Sequence, residues 1–335
     1  MFLFLGSSLG TEYSIHVSEA DTIFYTMDTQ YLGSNVASVG DINGDGLADI
    51  AFSQKAKTFV FFGSSTIQAE RHAESADFTM IKNSTIPNHV MEVGPAGDVD
   101  GDGLGDLLIG ADHYQIHGYG FSNGRVFLVL GSSILSQTYM MLDEADYQFT
   151  SYADAYLGEQ VASAGDVDAD GFDDILIGAP QTDINGQNTG SAYIFLGSTI
   201  NNSSSNTLDV NDADYKFFGE LDGERLAIYA NTVGDYDGDG HSDFALSAPY
   251  SDYAGSTAGA VYLFSGASLP YLAIANEIYS ETATFKLTGG PGITYVGHIS
   301  NRPADFDGDG LDDILVGSGE ANSATGMVNI FTTCD

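Results

Sequence analysis

Five nonapeptides in this 335-residue chain carry oxygen-bearing side chains at their first, third, fifth and ninth positions. They are Asp41-Ile-Asn-Gly-Asp-Gly-Leu-Ala-Asp49, Asp98-Val-Asp-Gly-Asp-Gly-Leu-Gly-Asp106, Asp166-Val-Asp-Ala-Asp-Gly-Phe-Asp-Asp174, Asp235-Tyr-Asp-Gly-Asp-Gly-His-Ser-Asp243 and Asp305-Phe-Asp-Gly-Asp-Gly-Leu-Asp-Asp313. Alternating ligands with glycine at position 6 match the first half of an EF-hand calcium loop, where glycine permits the sharp turn. The predicted side-chain ligands are Asp41, Asn43, Asp45 and Asp49, then Asp98, Asp100, Asp102 and Asp106, then Asp166, Asp168, Asp170 and Asp174. Asp235, Asp237, Asp239 and Asp243 form the fourth set, and Asp305, Asp307, Asp309 and Asp313 the fifth. The backbone carbonyls of Leu47, Leu104, Phe172, His241 and Leu311 at position 7 would complete them, which leaves the side chain there free to vary. An all-oxygen set selects a hard cation, and five or more oxygens on an irregular loop suit calcium better than the small, octahedral magnesium ion.

Charge points the same way. Four carboxylates within a few ångströms repel by several kcal/mol at an effective dielectric of about 20 unless a counter-ion joins them. The bland alternative is that Asp-Gly pairs are ordinary hairpin turns and acidic surfaces merely keep proteins soluble. Five copies spaced 57 to 70 residues apart outweigh it. The ligand positions of the loops hold 19 of the 47 acidic residues, and five calcium ions would bring the formal net charge from −38 to −28. Asn43 removes one charge from the first loop, which is therefore expected to be the weakest site.

The elements around the loops recur with them. Each loop follows a run of small residues, as in Val36-Ala-Ser-Val-Gly40, and precedes an apolar run, as in Ile175-Leu-Ile-Gly-Ala-Pro180. A β-rich string ending in Gly-Ser recurs at Val60-Phe-Phe-Gly63, Phe127-Leu-Val-Leu-Gly131 and Tyr193-Ile-Phe-Leu-Gly197, and Met1-Phe-Leu-Phe-Leu5 is read as another copy rather than a secretion signal. An acidic-then-aromatic string follows, as in Ala145-Asp-Tyr-Gln-Phe149. Four short strand signals per repeat, with glycine-rich turns and no helix-period segment of about ten residues, predict an all-β chain built as a β-propeller of four-stranded blades. The expected organisation is one domain over 1–335, centred on loops 41–49, 98–106, 166–174, 235–243 and 305–313. The third strand type occurs once more than the others, so the spare edge is expected to pair within a larger ring or with another molecule.

This pattern closely resembles the FG-GAP repeat of the integrin α-subunit β-propeller and its bacterial and fungal relatives. The residues that carry the resemblance are the five loops, Gly178-Ala179-Pro180, Ser247-Ala-Pro249, and the pairs Leu32-Gly33, Leu157-Gly158 and Val296-Gly297. The sequence departs from it at Val90 and Ala227, where glycine is expected, at Ala169 within the third loop, and at Ser53. Five repeats are recognisable against the usual seven blades, giving a ring of five to seven completed by further sequence or a partner. The resemblance implies a calcium-rigidified platform for adhesion or recognition, outside the cell or on its surface, and not an enzyme.

If the loops join first and second strands, a ligand-binding face lies on the opposite side, in the second-to-third and inter-blade loops. Its candidate residues are His113, Tyr114, His117, Tyr119, Tyr156, Asn185, Tyr250 and Tyr253, types that stack on sugars or make polar protein contacts. A protein or glycan is the expected partner. His113 and His117 share a loop but no helix fixes their spacing, so they are read as neither metal pair nor acid and base. The single cysteine, Cys334, excludes an intrachain disulfide framework, and 9 basic residues against 47 acidic ones argue against nucleic acid. No apolar run nears the roughly 20 residues that span a bilayer. Two alternatives remain: a propeller module of a polysaccharide-active enzyme, and a subunit that assembles head to tail through its terminal strand edges.

Overall fold

The computed structural model describes residues 1–3, 16–28, 31–82, 91–113, 123–151, 156–290, 293–300, 305–319 and 326–332. They form six sheets in chain order, and four of these repeat one antiparallel plan. The second sheet joins Val36–Gly40, Asp49–Gln54, Lys57–Phe61 and Phe78–Ile81, and the third joins Glu92–Gly97, Asp106–Gly110, Arg125–Val129 and Tyr147–Thr150. The fourth joins Gln160–Gly165, Asp174–Ala179, Ser191–Phe195 and Tyr215–Phe218, and the fifth Ala230–Gly234, Asp243–Ala248, Ala260–Phe264 and Phe285–Thr288. Phe2–Leu3 paired with Thr22–Tyr25 lies before them, and Val296–Ile299, Ile314–Ser318 and Met327–Phe331 lie after them.

The second strand of each repeat is a continuous apolar run because it is covered on both faces. Asp106–Gly110 and Asp174–Ala179 are buried throughout. The first strands are rich in small residues because successive ones pack side by side, Val36–Gly40 against Glu92–Gly97, that strand against Gln160–Gly165, and that one against Ala230–Gly234. A Cβ at Gly94 would stand 2.5 Å from the carbonyl oxygen of Val161, so only glycine allows this approach. The cores lie between neighbouring sheets: Val60, Phe78 and Met80 of the second sheet share one with Leu107, Phe127 and Val129 of the third. After the third strands, one-turn helices at Gly131–Leu135, Gly197–Asn202 and Leu269–Leu272 drop Ile134, Ile200 and Leu269 into these interfaces.

The sequence reading of four strands per unit is extended by the structure. Four of the outermost strands take a further, parallel neighbour from the next repeat: Glu70–His72 lies on Thr22–Tyr25, Tyr139–Met141 on Phe78–Ile81, Thr207–Asp209 on Tyr147–Thr150, and Glu277–Tyr279 on Tyr215–Phe218. These three-residue strands cover the edges of four sheets and staple each repeat to the one before. Among the described residues the sheets do not join into a closed ring, and the first and sixth share no strand.

Candidate functional site: aspartate loops and the opposite face

Every nonapeptide joins a first strand to a second, so all the loops emerge at the same end of their sheets. Each is built by its own carboxylates. The position-1 carboxylate accepts the N–H of the position-6 glycine at 2.7–3.0 Å in all five loops. The position-5 carboxylate accepts the position-7 N–H at 2.9–3.0 Å. Position 4 has positive φ throughout, and Ala169 adopts it too, at 57°, so the loop geometry overrides the missing glycine there. Ala227, another departure, likewise takes the left-handed conformation of Gly33 and Gly158. Val90 lies outside the described residues.

Position 9 is the anchor. Asp49, Asp106, Asp174, Asp243 and Asp313 are buried, and each accepts the N–H of position 2 at 2.6–3.0 Å. The second oxygen of Asp49, Asp106, Asp174 and Asp243 accepts the N–H of the glycine after the third strand, Gly63, Gly131, Gly197 or Gly266, at 2.7–2.9 Å. Burial pushes the carboxyls of Asp106 and Asp243 up to about 7 and that of Asp174 to about 8, against the pull of these bonds and with the help of neighbouring aspartates. Charge without compensation is costly here.

Carboxylate oxygens gather within 4.8 Å of one another in Asp98, Asp100 and Asp106, in Asp166, Asp168 and Asp174, in Asp235, Asp237 and Asp239, and in Asp305, Asp307 and Asp313. Loop 41–49, with Asn43 at position 3, forms no such three-carboxylate group. Asp98 Oδ1 is buried with no hydrogen-bond partner. A dry carboxylate oxygen among like charges fits a hard cation, since a cation would satisfy the oxygen and reverse the repulsion together. The residues present therefore fit calcium, which these aspartates would hold and which would supply structural charge compensation.

Other acidic residues have a purely local use that the sequence did not separate from the loops. Asp77, Asp146 and Asp214, from the acidic-then-aromatic string, accept the N–H groups of Phe62, Leu130 and Leu196 and hold the turn after each third strand. Thr284 does this for Ser265.

At the other end of the sheets, His113 and Tyr156 come together with rings 5.2 Å apart, and His113 Nδ1 lies 2.8 Å from Asp112 Oδ2. Tyr250 meets Tyr295 edge to face at 5.6 Å, under the Arg225 guanidinium at 5.4 Å. Tyr253, well exposed, stands apart beneath Lys286 Nζ at 3.9 Å. Asn185 donates its amide to the carbonyl of Gly219 at 3.0 Å, so it fastens its own loop. Tyr114, His117 and Tyr119 lie outside the described residues. The sequence reading missed Glu92 and Glu159 at the entry to two first strands. Burial raises both carboxyls, that of Glu92 to about 7, and Gln181 donates to Glu159 at 3.2 Å. Their only signal was a polar residue before the small-residue run, and nothing local says that the site is dry.

Aspartate loops at one end of tandem four-stranded sheets define a propeller-like repeat protein of acidic loops. Residues 157–195 and 227–264 match the FG-GAP repeat, and the chain carries FG-GAP repeats there. It is similar to integrin alpha-4 of Xenopus laevis, 35% identical over 48% of this chain and 14% of that protein. It is also similar to integrin alpha-PS2 of Drosophila melanogaster, 34% identical over 49% of this chain and 11% of that one. A phosphatidylinositol-glycan-specific phospholipase D of Rattus norvegicus is 28% identical over 61% of this chain and 23% of its own length. The chain thus spans less than a quarter of the length of these relatives. A solved rhamnogalacturonan lyase of Bacillus licheniformis aligns with 88% of this chain and 55% of its own at 13% identity, with a TM-score of 0.39.

Proposed function

We propose that the chain is a calcium-stabilised β-propeller that acts in adhesion or recognition outside the cell, not an enzyme, and presents the face opposite its aspartate loops to a ligand. The observation that carries this reading is the grouping of three carboxylates at four equivalent loops, in three of which the buried anchor aspartate is a member. Such an arrangement is costly alone and strong when a divalent ion joins it, and short acidic loops of this kind work where calcium is millimolar. The ligand set is that of the sequence reading, five loops and about five ions, with loop 41–49 the weakest. The similarity to integrin alpha subunits supports a protein ligand, and the tyrosine pair Tyr250 and Tyr295 beside Arg225 is the surface proposed for it, with a glycan as the alternative.

Melting with excess calcium and with EGTA tests the reading. Calcium should raise the midpoint, and curves that superimpose would sink the proposal. Asp239→Ala should lower stability while leaving ligand binding at the far face; Tyr250→Ala should do the reverse. The similarity to the phospholipase D favours one second reading, a repeat module joined to a catalytic domain elsewhere. Glycan and protein arrays probed with the chain in calcium separate the two, since only the first reading requires this chain alone to capture a ligand.

A further inference from the structure

The aspartate loops are not independent, because each of the last four leans on the loop of the preceding repeat. Position 7, whose side chain needs no role in its own loop, reaches backwards: Phe172 covers Gly101, where a Cβ would stand 2.7 Å from its ring, and Leu104 and Leu311 lie in the same way against Gly44 and Gly238. The position-8 N–H donates to the position-1 carbonyl of the loop before, Gly105 to Asp41 at 2.8 Å, Asp173 to Asp98 at 3.0 Å and Ser242 to Asp166 at 2.8 Å. A further bond depends on which residue stands at position 8. Asp173 Oδ2 accepts the Asp98 N–H at 2.8 Å across 75 residues of sequence. Gly105 has no side chain for this.

The two bonds between Asp98 and Asp173 form a clamp on the first ligand of the 98–106 cluster. The clamped carboxylate differs from the rest. In the other four loops the position-1 Oδ1 accepts the position-5 N–H, whereas Asp98 Oδ1, alone among the position-1 carboxylates, is buried without a partner. A carboxylate held by its backbone, with one oxygen unspent, is preorganised for a cation. Gly97 shows how closely the clamp is built, since a Cβ there would stand 2.2 Å from Asp173 Oδ2, while the matching space at Gly40, opposite Gly105, is open.

From this geometry we infer that Asp173 is a positioning residue for the cation site of the preceding repeat, and that through it the sites at 98–106 and 166–174 fill cooperatively. The inference rests on the reading that the loops take calcium. Asp173 lies between Phe172 and Asp174, both of the 166–174 set, so ordering that set around an ion fixes the clamp on Asp98. Coupling of binding free energies is reciprocal, so an ion at 98–106 favours the next loop equally.

Calcium titrations of the full chain by calorimetry test it, on the unaltered chain and on Asp173→Ala, Asp173→Asn and Gly105→Asp. Asp173→Ala should weaken one site on the order of tenfold, the scale of one hydrogen bond involving a charged group, and flatten the cooperativity of its neighbour. Asp173→Asn keeps an acceptor oxygen and should restore affinity to within about threefold. Gly105→Asp would supply the missing carboxylate beside Asp41, whose N lies 3.4 Å from the added Cβ, and should tighten the 41–49 site severalfold. The inference is overturned if Asp173→Ala titrates as the unaltered chain does, or if Asp173→Asn falls as far as Asp173→Ala, since the effect would then be charge alone. Should Asp173→Ala fail to fold, a folded Gly105→Asp with unchanged affinity overturns it. No calcium uptake by the unaltered chain would instead remove the reading beneath it.

Discussion

Glu92→Gln should stabilise the protein at pH 8 and hardly at all at pH 5. Glu92 opens the first strand of the third sheet, and burial raises its carboxyl from 4.5 to about 7, with Asp112 and Glu159 adding to the rise and a bond to Asn35 opposing it. A carboxyl whose folded pKa lies above its unfolded one contributes fully below the unfolded value, and that contribution is lost as pH rises through the folded one. With these two values the penalty on the ionised form is about 0.8 kcal/mol at pH 5 and about 3.3 kcal/mol at pH 8. Part of the side chain still meets solvent, so the second figure is an upper bound. Glutamine keeps a partner for Asn35 and carries no charge. Urea unfolding in saturating calcium, which holds the aspartate loops constant, should show a gain of about 2–3 kcal/mol at pH 8 and under about 1 kcal/mol at pH 5. A gain independent of pH, or a loss at pH 8, would refute the argument. Because the residue lies on the proposed recognition face, the same variant also shows whether its charge serves binding at the expense of stability.

Further predictions concern the loops. In EGTA the melting midpoint should fall as pH rises from 5.5 to 8, because burial has raised the carboxyls of Asp106, Asp174 and Asp243, and excess calcium should abolish that fall; equal slopes in both buffers would count against cation binding. Ala169→Gly relieves a left-handed alanine at φ 57° and should add about 0.5–1 kcal/mol of stability, measured by urea unfolding in calcium; a loss would show the strain to be absent. Gly97→Ala and Gly40→Ala both place a side chain at positive φ, but only the first meets the Asp173 carboxylate. The Gly40 change should cost about 1–2 kcal/mol and the Gly97 change clearly more; equal costs would mean that the clamp yields freely.

Much of the fold was legible because it is written locally and many times. The loop carboxylates satisfy N–H groups of their own turn, from Asp41 on Gly46 to Asp309 on Leu311, so type and spacing within nine residues suffice to specify the turn. The apolar second strands and small-residue first strands announce their burial in the same way, and the resemblance to FG-GAP repeats followed from those strings. The three-residue strands such as Tyr139–Met141 were not legible, since they are too short for a periodic signal and pair in parallel with the preceding repeat. The same holds for residues whose role is set by what faces them.

Sequence by itself thus determined where this chain concentrates negative charge and which segments extend into strands, because both are decided by neighbours along the chain. Tertiary structure alone decided that Asp173 grips Asp98, that Phe172 roofs Gly101, that Asn185 is consumed by Gly219 and that burial raises the Glu92 carboxyl. Each of those depends on a distance between repeats, and packing rather than residue order fixes such distances.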